Sequence, residues 1–294
     1  MRPRYIHIGS WNIEHFGRED DDNSDNQFAI AEHIEMSGVH ALALQEMYVT
    51  NDISQPGARL ENKFFRAALD LVEDHTGQHW ELELFRNRQE NDRSQLCGIA
   101  WNTARLRKER EPLRIGVAHT ARENGVSLSL WDRHPHAMKF AAIPGEDATI
   151  RLTDFIMVSL HMKANVGQRH VVERTRFHEV RELMAQVPAI QSALGEKDLV
   201  VLGDTNCRRR HEEAIKAFID NGFEDLNEDD IPTYVSGDDA PFDRIFIPRG
   251  DDRKAFRFSR QYILRSASPL AHDRYLSDHY MIKTSIVVRR DDDD

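Results

Sequence analysis

Leu199-Val200-Val201-Leu202-Gly203-Asp204-Thr205-Asn206 decides how the rest of the chain is read. Four apolar residues, two of them valine, run straight into a glycine, an acid and an amide. A short apolar run of this kind reads as a buried strand. Gly203 lets the backbone pass close to something at the strand's end. In an extended chain, side chains two apart point the same way, so Asp204 and Asn206 are expected to project together. The same residues also fit a strand that closes in an ordinary Asp/Asn turn. The two readings are separated by whether other strands end in matching groups.

Working outward, apolar strands are expected over residues 5–10, 39–44, 80–85, 96–101, 113–118, 126–130, 137–143, 153–160, 242–247 and 280–288. Helical stripes cover 27–36, 62–73, 172–194 and 212–220, with Gly38 and Gly222 as C-terminal stops. Strands outnumber helices and alternate with them irregularly, which favours mixed α/β layers over a doubly wound parallel sheet. Polar groups gather where these strands stop. Asn12 follows the first strand, Glu46 the second, and His161 the strand over 153–160; Asp243 opens one strand, and Asp278-His279 precede the last. Any one of them alone reads as a turn former. Several carboxylates and amides together, without a cysteine, describe an oxygen-rich site suited to Mg²⁺ or Mn²⁺. Two histidines beside them add proton transfer and charge stabilisation, the requirements for attack of water on a phosphate ester.

The bulk numbers bound this reading. The chain has 294 residues, 40% hydrophobic and 30% charged, as in a soluble globular protein. No apolar run is long enough to span a bilayer, and the first ten residues lack a signal-peptide core. Cys97 and Cys207 make no disulfide framework, so a reducing cytoplasm is the simplest location. The net charge of −11 weighs against a globally basic nucleic-acid binder. However, Glu19, Asp20, Asp21, Asp22 and Asp25 form one acidic run, and Asp291 to Asp294 form another. Without these two solvated runs the remainder is close to neutral, which leaves room for a local basic surface.

Six short motifs occur in a telling order: Trp11-Asn12, Leu44-Gln45-Glu46, Ser159-Leu160-His161, Gly203-Asp204-Thr205-Asn206, Asp243-Arg244-Ile245 and Ser277-Asp278-His279. In words and order the chain resembles the endonuclease/exonuclease/phosphatase superfamily, the deoxyribonuclease-I-like fold. The resemblance implies an α/β (α+β) four-layer sandwich: two packed mixed β-sheets flanked by helices, one domain over residues 1–289 with 290–294 as an acidic tail. It also implies roles. Glu46 would be the main metal ligand, with Asn12 and Asp278 beside it. Asp204 would orient or deprotonate the attacking water, and Asn206 would hold a phosphate oxygen. His279, paired with Asp243, would face the scissile phosphate, and His161 would be a second histidine there, as in the deoxyribonuclease-like and phosphatase-like branches. Arg133 resembles an arginine that contacts phosphate in those branches.

Outside the family pattern, Lys163 and the cluster Arg208-Arg209-Arg210 are candidates for further phosphate contacts of a polynucleotide. The expected activity is a divalent-metal-dependent phosphodiesterase, a nuclease on DNA or RNA, with a hydrolase of small or lipid phosphoesters as the alternative. No membrane association and no obligate protein partner are expected. The tryptophans and Phe16 are expected in the core, and Cys207 as a small buried residue rather than a nucleophile.

Overall fold

The structure, a computed structural model, describes residues 4–18, 26–54, 57–87, 94–143, 153–237, 239–250, 255–256 and 259–289. The acidic runs at 19–25 and 291–294 lie outside these residues. Two sheets form the centre. The first has the order β14 (Tyr262–Leu264), β15 (Met281–Val288), β1 (Arg4–Phe16), β2 (Ala41–Met47), β4 (Leu96–Asn102), β3 (Trp80–Leu84). The second has the order β12 (Phe223–Asp225), β13 (Asp243–Pro248), β11 (Leu199–Asp204), β10 (Asp154–His161), β9 (His136–Ala142), β5 (Leu106–Lys108). A short β6 (Leu113–Arg114) also pairs with β9, and β7 (Thr120–Glu123) with β8 (Val126–Ser129) makes a separate hairpin. Of the strand expected over 113–118, only β6 forms.

Layering follows from side-chain alternation. On β11, Val200 and Leu202 face the other sheet and join Ile8, Ala43, Phe155, Met157 and Ile282 in the central core. Leu199 and Val201 face outward, beneath Val180 and Leu183 of α3 (Arg169–Leu194) and Ile215 and Phe218 of α4 (Glu213–Asp220). On the far side, α1 (Gln27–Ser37) and α2 (Lys63–Thr76) cover the first sheet, with Ile30, Ile34, Phe65 and Leu69 against Leu42 and Leu44. The arrangement is therefore helix, sheet, sheet, helix. Both faces of β11 are buried, which is why it reads as an unbroken apolar run rather than an alternating one. Each such side chain removed from water stabilises the fold by about 1.5–3 kcal/mol. The fifth helix, α5 (Pro269–Tyr275), is capped by Ser268, whose Oγ accepts from Ala271 N.

Trp11, Trp80, Trp101, Trp131, Phe16 and Cys207 are buried, as expected of them. Gly38 closes α1 in the left-handed region at φ 64°. Gly203 has the sharper constraint. A Cβ there would lie 1.9 Å from the carbonyl oxygen of Leu160 on the paired β10. The close approach expected at this glycine is between two neighbouring backbones.

Candidate active site

Strand direction assembles the site. β1 and β2 are parallel, as are β10 and β11, so their C-terminal ends carry Asn12, Glu46, His161 and Asp204. β13 runs antiparallel to β11 and starts opposite it, with Asp243 in register with Asp204. β15 runs antiparallel to β1, which brings the preceding Asp278-His279 to the same end.

β1 and β2 continue past the point where the apolar pattern stops, because their register shifts between Asn12 and Phe16. Glu14 and His15 there have φ 46° and 53°, and Glu46 on β2 has φ 60°. Left-handed backbone in non-glycine residues inside a strand is costly and collects at functional sites. Its effect is to turn Glu46 inward. Glu46 Oε1 accepts from Asn12 Nδ2 at 3.2 Å, and its Oε2 lies 2.8 Å from His15 Nδ1. Burial would raise this carboxyl, but the hydrogen bond from His15, with the electrostatic pull of the His161 and His15 rings and a smaller contribution from Asn12, outweighs it and brings the pKa to about 2. Buried Asn62, the N-cap of α2, ties both strand ends together by donating to Phe16 O and Tyr48 O, each at 2.9 Å.

Asn12 Nδ2 also donates to Asp204 Oδ2 at 3.0 Å, linking the two sheets. His161 Nε2 stands 3.5 Å from the same oxygen and 3.8 Å from Glu46 Oε1. Burial, with the charge of Arg133, pushes His161 well below the usual histidine range, so its imidazole is neutral. Asp204 moves the other way. Burial raises it to about 6, moderated by the positive charge of His279.

His279 Nδ1 is 2.8 Å from Asp243 Oδ2, and its Nε2 is 3.8 Å from Asp278 Oδ1. Burial alone would lower this imidazole, but the charge and hydrogen bond of Asp243 raise it to about 10, so it is an imidazolium at neutral pH. Ser277 Oγ accepts from His279 N at 3.0 Å and donates to Asn12 O at 2.7 Å, fixing this segment to β1. Asp278 is raised by burial and by the carboxylates of Glu46 and Asp243. Asp278 N donates to Glu14 Oε2 at 3.0 Å, and burial with the charge of Asp278 raises Glu14 to about 7.

The expectation that Asp204 and Asn206 project together from extended chain fails. β11 ends at Asp204, and Asn206 sits at φ 55° with its N–H donated to Asp204 Oδ1 at 2.7 Å. The acid folds its own following backbone into a tight turn. Asn206 Nδ2 points instead toward Met162 O, 3.4 Å away. Arg133 is buried and donates an Nη hydrogen to the same carbonyl, so it lies in the floor of the site. Lys163 Nζ is paired with Asp132 Oδ2 at 2.7 Å. Arg208 places its guanidinium 5.7 Å from the Phe242 ring, and that ring lies 6.0 Å from His279. Arg209 is exposed and donates to Arg208 O at 2.7 Å, while the Arg210 amide is held by Asp230 at 2.8 Å.

Sequence reasoning missed Glu14, His15, Tyr234 and Asn165. Glu14 and His15 adjoin Trp11-Asn12, and their polarity just after a strand was the available signal. Tyr234 bridges antiparallel to His279, with ring centroids 5.1 Å apart; no local pattern marks it. Among the described residues no three acidic, histidine or cysteine side chains form a ready metal cage. The groups able to hold a hard cation are the carboxylates of Glu46 and Asp278 with the amide oxygen of Asn12.

No protein-family model and no curated protein matches the chain. Solved structures do. An endonuclease/exonuclease/phosphatase from Bacteroides vulgatus superposes with TM-score 0.64 at 12% identity, covering 98% of this chain and 100% of that one. The human Nocturnin catalytic domain with bound sulfate gives TM-score 0.61 at 16% identity, covering 99% and 98%. A mannosyl-6-phosphatase from Bacteroides thetaiotaomicron gives 0.60 at 13% identity, covering 96% and 99%. With its two mixed sheets between helical layers, this chain has the fold of the endonuclease/exonuclease/phosphatase superfamily.

Proposed function

We propose that this protein is a divalent-metal-dependent phosphoric ester hydrolase that cleaves phosphodiesters of DNA or RNA by attack of activated water. One observation carries the reading: buried Asp204, held by Asn12 at 3.0 Å and by the Asn206 N–H at 2.7 Å, stands at the same strand ends as His279, whose Nδ1 is held by Asp243 at 2.8 Å. This combination supplies a proton acceptor and a positive charge for one reacting group.

The donor set fits Mg²⁺ or Mn²⁺. Glu46, Asp278 and Asn12 offer hard oxygens only, and Asp278 and Glu14 are raised in part by neighbouring carboxylates, a repulsion that a cation would offset. When bound, the ion would polarise a phosphoryl oxygen. Asp204 accepts the proton of the attacking water. Asn12 and the Asn206 N–H hold that carboxylate in place through its two oxygens. His279 presents its Nε2–H to a phosphate oxygen while Asp243 holds the Nδ1–H. His161 donates a neutral hydrogen bond, and Asn206 offers its amide to a phosphate oxygen.

Polymer cleavage needs grip beyond the scissile phosphate, and Arg208, Arg209 and Arg210 begin two residues after Asn206. Replacing all three by serine should weaken cleavage of plasmid or long RNA far more than cleavage of bis-p-nitrophenyl phosphate, and flatten the salt dependence of polymer binding. Equal loss on both substrates would remove the nuclease reading. A second reading, hydrolysis of a small or lipid phosphoester, is favoured by the pairing of Lys163 with Asp132, which takes one cation away from a polymer. It predicts turnover of inositol or sugar phosphates and none of plasmid.

A further inference from the structure

Arg176 is a charged residue on the core-facing side of α3, 1% exposed. Burying a guanidinium is costly unless its donors are engaged. Its Nη donors go to the two loops that carry the site, while Nε has no partner among the described residues. Nη1 donates to Lys163 O at 3.2 Å and to Asn165 Oδ1 at 3.0 Å, both in the segment after β10. Nη2 donates to Glu212 Oε2 at 3.0 Å, in the segment after β11. Both branches lead to Asn206. Asn165, with its oxygen held by Arg176, donates Nδ2 to Asn206 O at 2.9 Å. Glu212 accepts from Arg208 N at 2.6 Å through its other oxygen, Oε1. Asn206, at φ 55°, is thus tethered at its own carbonyl and two residues further on.

One helical turn along, fully buried Glu179 adds a second clamp. Its Oε1 accepts from Trp131 N at 2.8 Å and its Oε2 from Lys163 N at 2.9 Å. These two contacts bracket Arg133 on one side and His161-Met162 on the other. Residues three apart on a helix share a face, so Arg176 and Glu179 form one polar platform under both loops.

We propose that Arg176 is a positioning residue, which sets the left-handed conformation of Asn206 through Asn165 and locks the loops after β10 and β11 to each other. It touches no reacting atom. The planar fork is essential, because one guanidinium must bond a carbonyl, an amide oxygen and a carboxylate in fixed directions, which a lysine ammonium cannot do. The catalytic consequence rests on the phosphoesterase reading above; the conformational one does not.

The test uses the full chain with Arg176→Lys, which keeps the charge opposite Glu212, and Asn165→Ala, which alters an exposed side chain and spares the core. With Mn²⁺ and bis-p-nitrophenyl phosphate, each single substitution should lower kcat roughly tenfold or more with KM little changed, since a small displacement of a transition-state contact suffices. The double variant should lose little more than Arg176→Lys alone, because the Asn165 link already runs through Arg176. Unchanged kcat in both singles, or losses that multiply in the double, would overturn the proposal. In parallel, ¹⁵N-correlation spectra should show the Asn206 side-chain amide moving in both single variants and the Arg208 N–H moving in Arg176→Lys, with the β1 amides unmoved. Unmoved Asn206 and Arg208 signals would overturn it too. A wild-type protein inactive on every phosphoester would sink the functional reading alone, and the spectra would then decide the role of Arg176.

Discussion

Asp243 Oδ2 and His279 Nδ1 meet at 2.8 Å with both side chains buried, while Asp243 Oδ1 has no hydrogen-bond partner among the described residues. The carboxylate is committed to one imidazole, and that is why His279 keeps its proton up to about 10 although burial opposes it. Asp243→Asn removes the charge and leaves the burial. The His279 titration, followed by NMR in metal-free protein, should then fall below the ordinary value of about 6.5. Turnover at neutral pH should drop roughly 10²-fold, as expected for losing a cationic contact in the transition state. A titration that stays where it was would show that the pair does not set the protonation of His279.

The proposed metal dependence is tested at Glu46. EDTA is expected to abolish activity and Mg²⁺ or Mn²⁺ to restore it. Glu46→Gln should weaken Mn²⁺ binding in calorimetry at least about tenfold while circular dichroism remains unchanged. Full turnover after exhaustive dialysis against chelator would exclude the mechanism proposed for this site.

Gly203→Ala tests the strand junction. The added methyl would meet Leu160 O at 1.9 Å, an overlap with backbone that no rotamer relieves. β10 and β11 would have to separate where His161 and Asp204 are in register. A loss of about 3 kcal/mol or more in urea unfolding is expected, at the upper end of overpacking effects. Wild-type stability in this variant would mean that the two backbones can part without cost.

Acid sensitivity follows from buried and half-buried histidines that belong to no candidate catalytic position. Burial lowers His33 and His136 to about 4 and His40 and His134 to about 3. Their folded pKa values lie below the unfolded value near 6.5. Their contribution to stability is therefore complete above that pH and is lost as pH falls from 6.5 toward 3–4, where the unfolded chain binds more protons. Melting temperature should decline steeply over this window. His33→Phe, which keeps a ring against Trp11 and His272, should make the decline shallower by about one proton. An unchanged slope in that variant would show that His33 is protonated in the folded state.

The layers and the order of the site were legible because they rest on local pattern. β11 declared itself as an apolar run ending in Gly203-Asp204, and the stripes of α1, α2 and α3 carried the period of a helix. What lacked a local pattern was not legible. β14 is three residues long and exists only because β15 pairs with it. Glu14 and His15 acquire their place from a register shift against β2, a property of two strands and not of one.

The sequence by itself determined which residue types stand at the strand ends and in what order, since a residue's identity and its place after an apolar run are local properties. Only the tertiary structure decided their states. The Asp204 carboxyl is raised by the absence of water, His279 is charged because Asp243 is its neighbour, and His161 is neutral because the same burial finds no dominant anion. The same division explains Arg176 and Glu179. By pattern they were unremarked positions of a long helix; in the fold they are buried charges whose hydrogen bonds hold two loops. Burial and the direction of a hydrogen bond depend on distant segments meeting, and no window of sequence contains both partners.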